Sequence, residues 1–382
     1  MQYRKFGKLD WKPSALGFGA MRLPTIEGDS AQIDEPLATR MVHYAIDHGV
    51  NYVDTAYPYH SGNSERFLSR ALQDGYRERV KLATKLPMWQ VEATEDFDRY
   101  LDEQLEKLQT DHIDFYLFHG LRKERWDAVR KLNILEEAEA AVADGRVRHL
   151  GFSFHDEFEV FKDIIDGYDG WTMCQIQYNY MDEEHQAGTE GLKYAAEKGL
   201  AVVVMEPIRG GRLSGSPPQA ILDLWATAPT ERSPAEWALQ WVWNHPEVSL
   251  VLSGMSTMAH VEENVKSAGR SGAGTLTNEE LELIGRVSDA YRDLCPVPCT
   301  KCEYCLPCPS GVNIPRIFEI FNEAMMYNEM RSARRMYNWL KEEERADQCE
   351  ECGQCMELCP QNIPISDWLK KADELLAEAA AA

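Results

Sequence analysis

The chain has 382 residues, 27% charged and 44% hydrophobic, with 63 acidic against 40 basic side chains and a formal charge of -23. That length exceeds a single small core and predicts two domains or one large barrel with an appendage. The acidity argues against nucleic acid and anionic membrane as partners, because both are met by basic faces; with no run of about eighteen apolar residues and no apolar core behind "MQYRKFGKLDW", the chain reads as cytoplasmic.

Eight short apolar runs follow in order: "ALGFG", "VNYVDT", "VKLAT", "IDFYLFH", "RHLGFS", "MCQIQ", "LAVVVM" and "VSLVLS". Each reads as a buried strand, and the longer stretches between them have helical spacing. In "TEDFDRYLDEQLEKLQ", Phe97, Leu101, Leu105 and Leu108 share a face, with Thr94 as the expected N-cap. "RWDAVRKLNILEEAEAAVADG" reads as one helix ending at Gly145, and a last helix opens on a Thr277/Glu280 capping box. Eight strands alternating with helices predict an α/β fold of the (β/α)8 TIM-barrel type. A doubly wound sheet competes, but "GFGAMRL" after the first strand lacks the G-x-G-x-x-G turn. The expected organisation is a barrel over 1–292 and a small, mainly α-helical domain over 293–382.

Nine of the ten cysteines lie after residue 294, too clustered for a disulfide framework. Cys349, Cys352, Cys355 and Cys359, followed by Pro360, spell C-x2-C-x2-C-x3-C-P, a run that holds cubane iron–sulfur clusters. Cys299, Cys302, Cys305 and Cys308 repeat it with one residue fewer, and both groups lead into Asn-Ile-Pro. The repeat predicts two 4Fe-4S clusters whose halves exchange their fourth cysteines: Cys299, Cys302, Cys305 and Cys359 for one, Cys349, Cys352, Cys355 and Cys308 for the other. Zinc is the competing ligand, since paired C-x2-C units also build tetrahedral sites. Cys295 is either a spare thiol or a substitute for Cys299. Cys174, inside a strand, reads as a small core residue. The segment between the two groups, about forty residues long, reads as helical, and the whole resembles the α-helical ferredoxin type.

Reacting groups of such barrels sit at the C-terminal ends of strands. Those ends carry Asp54, Tyr59, Lys85 and His119. A lysine cation lowers the pKa of a nearby phenol and an aspartate holds the lysine, so Tyr59 can protonate a carbonyl oxygen that His119 also binds.

With these residues the sequence resembles the aldo-keto reductase family, from "YRKFGKLDWKPSALGFGAMRL" to "HVEENVKSA". "DTAYPYHSGNSE", "ATK" and "DFYLFH" are similar to its catalytic motifs, which implies that Asp54, Tyr59, Lys85 and His119 form the tetrad. "GFSFH" and "QIQYN" imply that Ser153 and Gln175 bind the nicotinamide carboxamide of NADP or NAD. "VVVMEPIRGGRLS" resembles the loop over the pyrophosphate, with Met205, Pro207, Gly210 and Leu213. "GMSTMAHVEENV" resembles the adenosine-binding segment, with Ser253, Gly254, His260, Glu263 and Asn264. Phe154 and Met205 depart from the family's usual asparagine and aromatic residue. Gly254 and His260 stand where basic residues often clamp a 2′-phosphate, which implies either a preference for NAD or little discrimination, while Arg209 and Arg212 offer other phosphate contacts. Barrel and tail together resemble a bacterial and archaeal subgroup with a ferredoxin-like C-terminal domain.

The implied function is NAD(P)-linked reduction of an aldehyde or ketone, or the reverse oxidation of an alcohol, coupled through the clusters to a redox partner protein. Two alternatives stand beside it: an ordinary carbonyl reductase whose clusters are structural or redox-sensing, and a non-catalytic electron-transfer or binding subunit. Direct cluster-driven reduction without nicotinamide is a third.

Overall fold

The structure, a computed structural model, describes residues 1–377. Eight parallel strands close into a barrel in chain order. They are β1 (Leu16–Gly19), β2 (Tyr52–Asp54), β3 (Lys81–Leu86), β4 (Ile113–Leu121), β5 (Val147–Phe154), β6 (Trp171–Gln177), β7 (Ala201–Met205) and β8 (Val248–Gly254). All eight predicted strands are present, and β1 pairs with β8 from Leu16↔Val251 to Gly19↔Gly254 to close the ring. Apolar residues fill these strands because helices cover a parallel sheet from outside and side chains pack it from within.

The chain divides into two compact units. The first is Met1–Arg209 with Ala235–Thr277, which contains all eight strands. Its helices are α1 (Glu35–Asp47), α2 (Asn63–Ala71), α3 (Asp96–Leu108), α4 (Lys123–Lys131), α5 (Ile134–Ala143), α6 (Phe158–Asp166) and α7 (Gly188–Glu197). The second unit is Gly210–Pro234 with the chain from Asn278 onward, and it carries α8 (Gln219–Trp225). The helix α9 (Pro234–Trp243) and α10 (Met258–Ala268) return to the first unit, and α11 (Asn278–Asp293) to the second. This division differs from the linear boundary at 292/293 because α8 packs on α11, and Tyr291 of α11 meets Tyr327 with ring centroids 5.1 Å apart.

An N-terminal turn that the periodicity does not reveal closes the bottom of the barrel. The bridges Tyr3↔Ser14 and Phe6↔Leu9 fold it back on itself. Phe6 packs on Trp11, Tyr52 and Phe115 with centroids 5.3, 6.4 and 5.0 Å away. Each buried ring contributes about 2–3 kcal/mol by area. Gly7 makes the turn possible: φ is +53°, and a Cβ there would lie 2.7 Å from the Ala201 amide nitrogen. The candidate site residues lie at the opposite end, at the C-terminal ends of the strands.

Two helix expectations are corrected. The stretch expected as one helix from Arg125 to Gly145 is split into α4 and α5 by Asn133, at φ +52°. Asparagine tolerates this left-handed conformation, which interrupts a helix. Thr94 is not the cap of α3; its hydroxyl donates to the Leu132 carbonyl at 2.8 Å, and Asp96 instead accepts from the amides of Glu92 and Ala93.

After α11 come α12 (Ile314–Tyr327), α13 (Met330–Asn338), α14 (Gln354–Leu358) and α15 (Ile365–Leu376). The repeated Asn-Ile-Pro stands at two of these starts: Pro315 lies in the first turn of α12, where a helix needs no amide donor, and Pro364 is the residue that caps α15. Asn328, at φ +54°, separates α12 from α13 as Asn133 separates the earlier pair. The core of this unit includes Val312, Ile317, Phe318, Phe321, Leu369 and Ala372. Asn322 ties in the approach from α11 by accepting from the Val297 amide at 3.0 Å and donating to its carbonyl at 2.8 Å. No helix among the described residues is long and apolar enough to cross a membrane.

Candidate active site and cysteine-lined cavities

The barrel mouth brings Asp54, Tyr59, Lys85 and His119 together. Lys85 Nζ is wholly buried and donates to Asp54 Oδ1 at 2.7 Å and to the Thr55 carbonyl at 2.7 Å. It also reaches Tyr59 Oη at 3.4 Å. Burial lowers the affinity of Lys85 for its proton, but Asp54 and Tyr59 outweigh it, so its pKa is raised and the ammonium stays charged. The Tyr59 and His119 rings meet edge-on with centroids 6.2 Å apart.

The sequence argument emphasised the lysine's lowering of the phenol's pKa. In the structure, burial dominates and holds Tyr59 above the ordinary tyrosine value despite Lys85. Burial, with help from Lys85, pushes His119 well below its usual value, so the imidazole is neutral. Its Nδ1 is buried without a partner. A protonated phenol and a neutral imidazole are the forms a carbonyl oxygen requires, one to give a proton and one to donate a hydrogen bond. Because a raised phenol pKa keeps the proton on until high pH, kcat/KM for reduction is expected to stay flat from ~pH 6 to ~pH 9, checked by initial rates across buffers. Alcohol oxidation, which needs the phenolate, should rise over the same interval.

Next to the tetrad, Ser153 and Gln175 occupy paired register positions on β5 and β6. The Ser153 hydroxyl oxygen accepts from the Gly120 amide at 2.7 Å, which leaves its proton free to donate. Gln175 Nε2 donates to the Met205 sulfur at 3.5 Å, and its buried Oε1 has no partner. A free hydroxyl donor beside an unpaired amide acceptor is complementary to a carboxamide, so these residues fit a nicotinamide. Met205 therefore fixes the amide of Gln175.

The remaining expected nucleotide residues lie as follows. Ser253 and Asn264 are buried and joined, Nδ2 to Oγ, at 3.0 Å. Gly254 has the aliphatic stem of Arg22 packed over it, His260 is exposed in the first turn of α10, and Glu263 is partly buried. Pro207 is buried just after β7. Gly210 and Leu213 fall in the second unit, Gly210 at φ +67° and Leu213 fully buried. Both arginines considered for phosphate are engaged with acids: Arg209 Nε lies 3.1 Å from Asp182 Oδ2, and Arg212 Nη2 lies 2.8 Å from Glu323 Oε2.

In the second unit the cysteines line two hollows. One is bordered by Cys299, Cys302, Cys305 and Cys359, with Phe318 and Ile363. The other is bordered by Cys308, Cys349, Cys352 and Cys355, with Cys305 on the rim between them. Each hollow thus takes thiols from both halves of the repeat, the arrangement cubane clusters with exchanged fourth ligands need. Among the described residues no three such side chains close on one point as a single ion would require. Cys295 borders neither hollow; its thiol donates to the Val297 carbonyl at 3.5 Å. Cys174 is fully buried in β6.

Trp89, Arg125 and Gly120 are site residues the sequence did not single out. Trp89 meets His119 edge-on at 5.0 Å, and nothing in local spacing marks it.

Comparison with known proteins agrees with this geometry. The Aldo/keto reductase family model matches residues 15–288, and that of a 4Fe-4S dicluster domain matches residues 298–363. The family match and the relatives' names make this chain an oxidoreductase. The chain belongs to the aldo/keto reductase family. L-galactose dehydrogenase of Arabidopsis thaliana is 26% identical over 321 residues, covering 77% of this chain and 96% of that protein. Methylglyoxal reductase YeaE of Escherichia coli is 25% identical over 261 residues, covering 64% and 86%. Among solved structures, an aldo-keto reductase from Bacillus halodurans in its holo form superposes with a TM-score of 0.62 at 29% identity, covering 75% of this chain and 96% of that one.

Proposed function

We propose that the barrel reduces an aldehyde or ketone, or oxidises the corresponding alcohol, with NAD or NADP, and that the second unit carries two 4Fe-4S clusters that exchange electrons with a partner protein. The observation that carries the reading is the buried Lys85–Asp54 pair beside Tyr59 and His119, where burial keeps the phenol protonated and the imidazole neutral. A reduced nicotinamide, when bound, supplies a hydride. Ser153 and Gln175 would orient its carboxamide, Tyr59 would give its proton to the carbonyl oxygen, and Lys85 would stabilise the phenolate left behind. His119 would hold the same oxygen by a hydrogen bond and so fix the carbonyl face. The one-electron steps of the clusters and the two-electron step of the barrel need a partner or substrate able to convert between them, since no flavin motif is visible in the chain.

One observation favours a second reading, in which the clusters are structural or redox-sensing. Cys299, Cys305, Cys308, Cys349, Cys355 and Cys359 all pack against the hydrophobic core of the second unit. Anaerobic purification, iron and sulfide assay, and a visible spectrum before and after NADH or NADPH distinguish the two. The expected result is about eight irons per chain and an absorbance that bleaches only when a nicotinamide is added. Clusters that ignore both nicotinamides while carbonyl reduction proceeds would favour the second reading.

A further inference from the structure

Arg125, in the first turn of α4, is a partly buried cation with no carboxylate in ion-pair range among the described residues, whereas its neighbours are paired: Arg122 with Glu124 at 3.6 Å and Lys123 with Asp127 at 3.3 Å. Its Nη1 donates to the Gly120 carbonyl at 2.6 Å and lies 3.4 Å from the His119 carbonyl. Nε and Nη2 have no hydrogen-bond partner among the described residues. The guanidinium carbon stands 5.6 Å from the ring centre of Trp89, whose ring also meets the His119 imidazole.

The backbone is shaped to admit this group. Gly120 sits at φ +60°, and a Cβ there would lie 2.7 Å from Arg125 Nη1. Among the described residues only Glu124 acts favourably on this charge, from beyond ion-pair range and while itself paired with Arg122, so burial dominates and a ligand anion would relieve it. A planar fork with free donors is suited to a carboxylate, which it can bind in bidentate fashion.

We propose that Arg125, backed by Trp89, is a carboxylate subsite of the barrel, so that the enzyme takes short oxo acids in preference to neutral carbonyl compounds. Because the guanidinium adjoins the backbone of the residue that binds the carbonyl oxygen, the two functional groups should be close, with about one to three carbons between them. This assignment rests on carbonyl reduction in the barrel as proposed above. It assigns the anionic end of the substrate, on which the tetrad is silent.

The test compares 4-oxobutanoate with its methyl ester on the full, cluster-loaded chain. The unaltered protein is expected to show the higher kcat/KM with the acid. In Arg125→Met the acid-to-ester ratio should fall about 30- to 100-fold, mostly through KM, as expected for the loss of a charge-assisted bond. Arg125→Lys should recover part of it by keeping the charge without the fork. An unchanged ratio in Arg125→Met, or a preference of the unaltered protein for the ester, overturns the assignment. Calorimetric titration with 4-hydroxybutanoate separates the two levels. Binding that Arg125→Met abolishes supports the subsite even if no carbonyl is reduced, in which case the reduction reading fails alone. Binding equally strong in both proteins overturns the subsite.

Discussion

A Tyr59→Phe protein is expected to lose carbonyl reduction by about 10²- to 10⁴-fold, the usual contribution of a positioned general acid. In the proposed mechanism the phenol oxygen gives up the proton, since Lys85 is held by Asp54 and the Thr55 carbonyl and His119 is neutral. Removing that oxygen deletes one long contact from Lys85, 3.4 Å, and leaves the buried ion pair standing. The variant should therefore fold and keep its iron. Steady-state rates with NADH and NADPH, read beside iron content, check this. Reduction at an undiminished rate would mean that Tyr59 is not the acid. A protein active in electron transfer alone would show no change in partner reduction.

The second large effect is on stability. Lys85→Met should destabilise the barrel by about 3–5 kcal/mol, because the Asp54 carboxylate then stays buried without its counter-charge. Asp54 is already only partly satisfied, since its Oδ2 has no partner in the intact protein. Adding Asp54→Asn to Lys85→Met removes the stranded charge and should recover much of the loss, while activity stays absent in both. Denaturant midpoints of the two single variants and the double variant give the coupling. Additive losses would show that the pair contributes no specific interaction and that the tetrad is held by packing alone.

How far the sequence reveals this molecule depends on the range of the interaction. The barrel is legible because each strand is a compact apolar run and eight of them alternate with helices, a pattern set by burial on both faces of a parallel sheet. The meeting of Asp54, Lys85 and His119 is legible because each ends or lies near the end of a strand, where the fold itself makes them neighbours. The helix breaks at Asn133 and Asn328 escape because the flanking apolar periodicity continues through them, and only asparagine's tolerance of positive φ signals the stop. Arg125 and Trp89 escape for a different reason. Neither belongs to a motif, and the contacts that mark them arise only when the segments after β3 and β4 are folded side by side. The balance of effects on Tyr59 is likewise unreadable from spacing, because it depends on how much water burial removes.

In the second unit six of the paired cysteines lean on the same apolar core that holds α12, α13 and α15 together. A chain made without iron would leave those thiols around two hollows and the surrounding helices short of a filled centre, while the barrel strands would have lost nothing. Proteases act on whichever segment opens most often. If clusters fill those hollows as proposed, limited proteolysis of iron-free protein is expected to cut the second unit before the barrel.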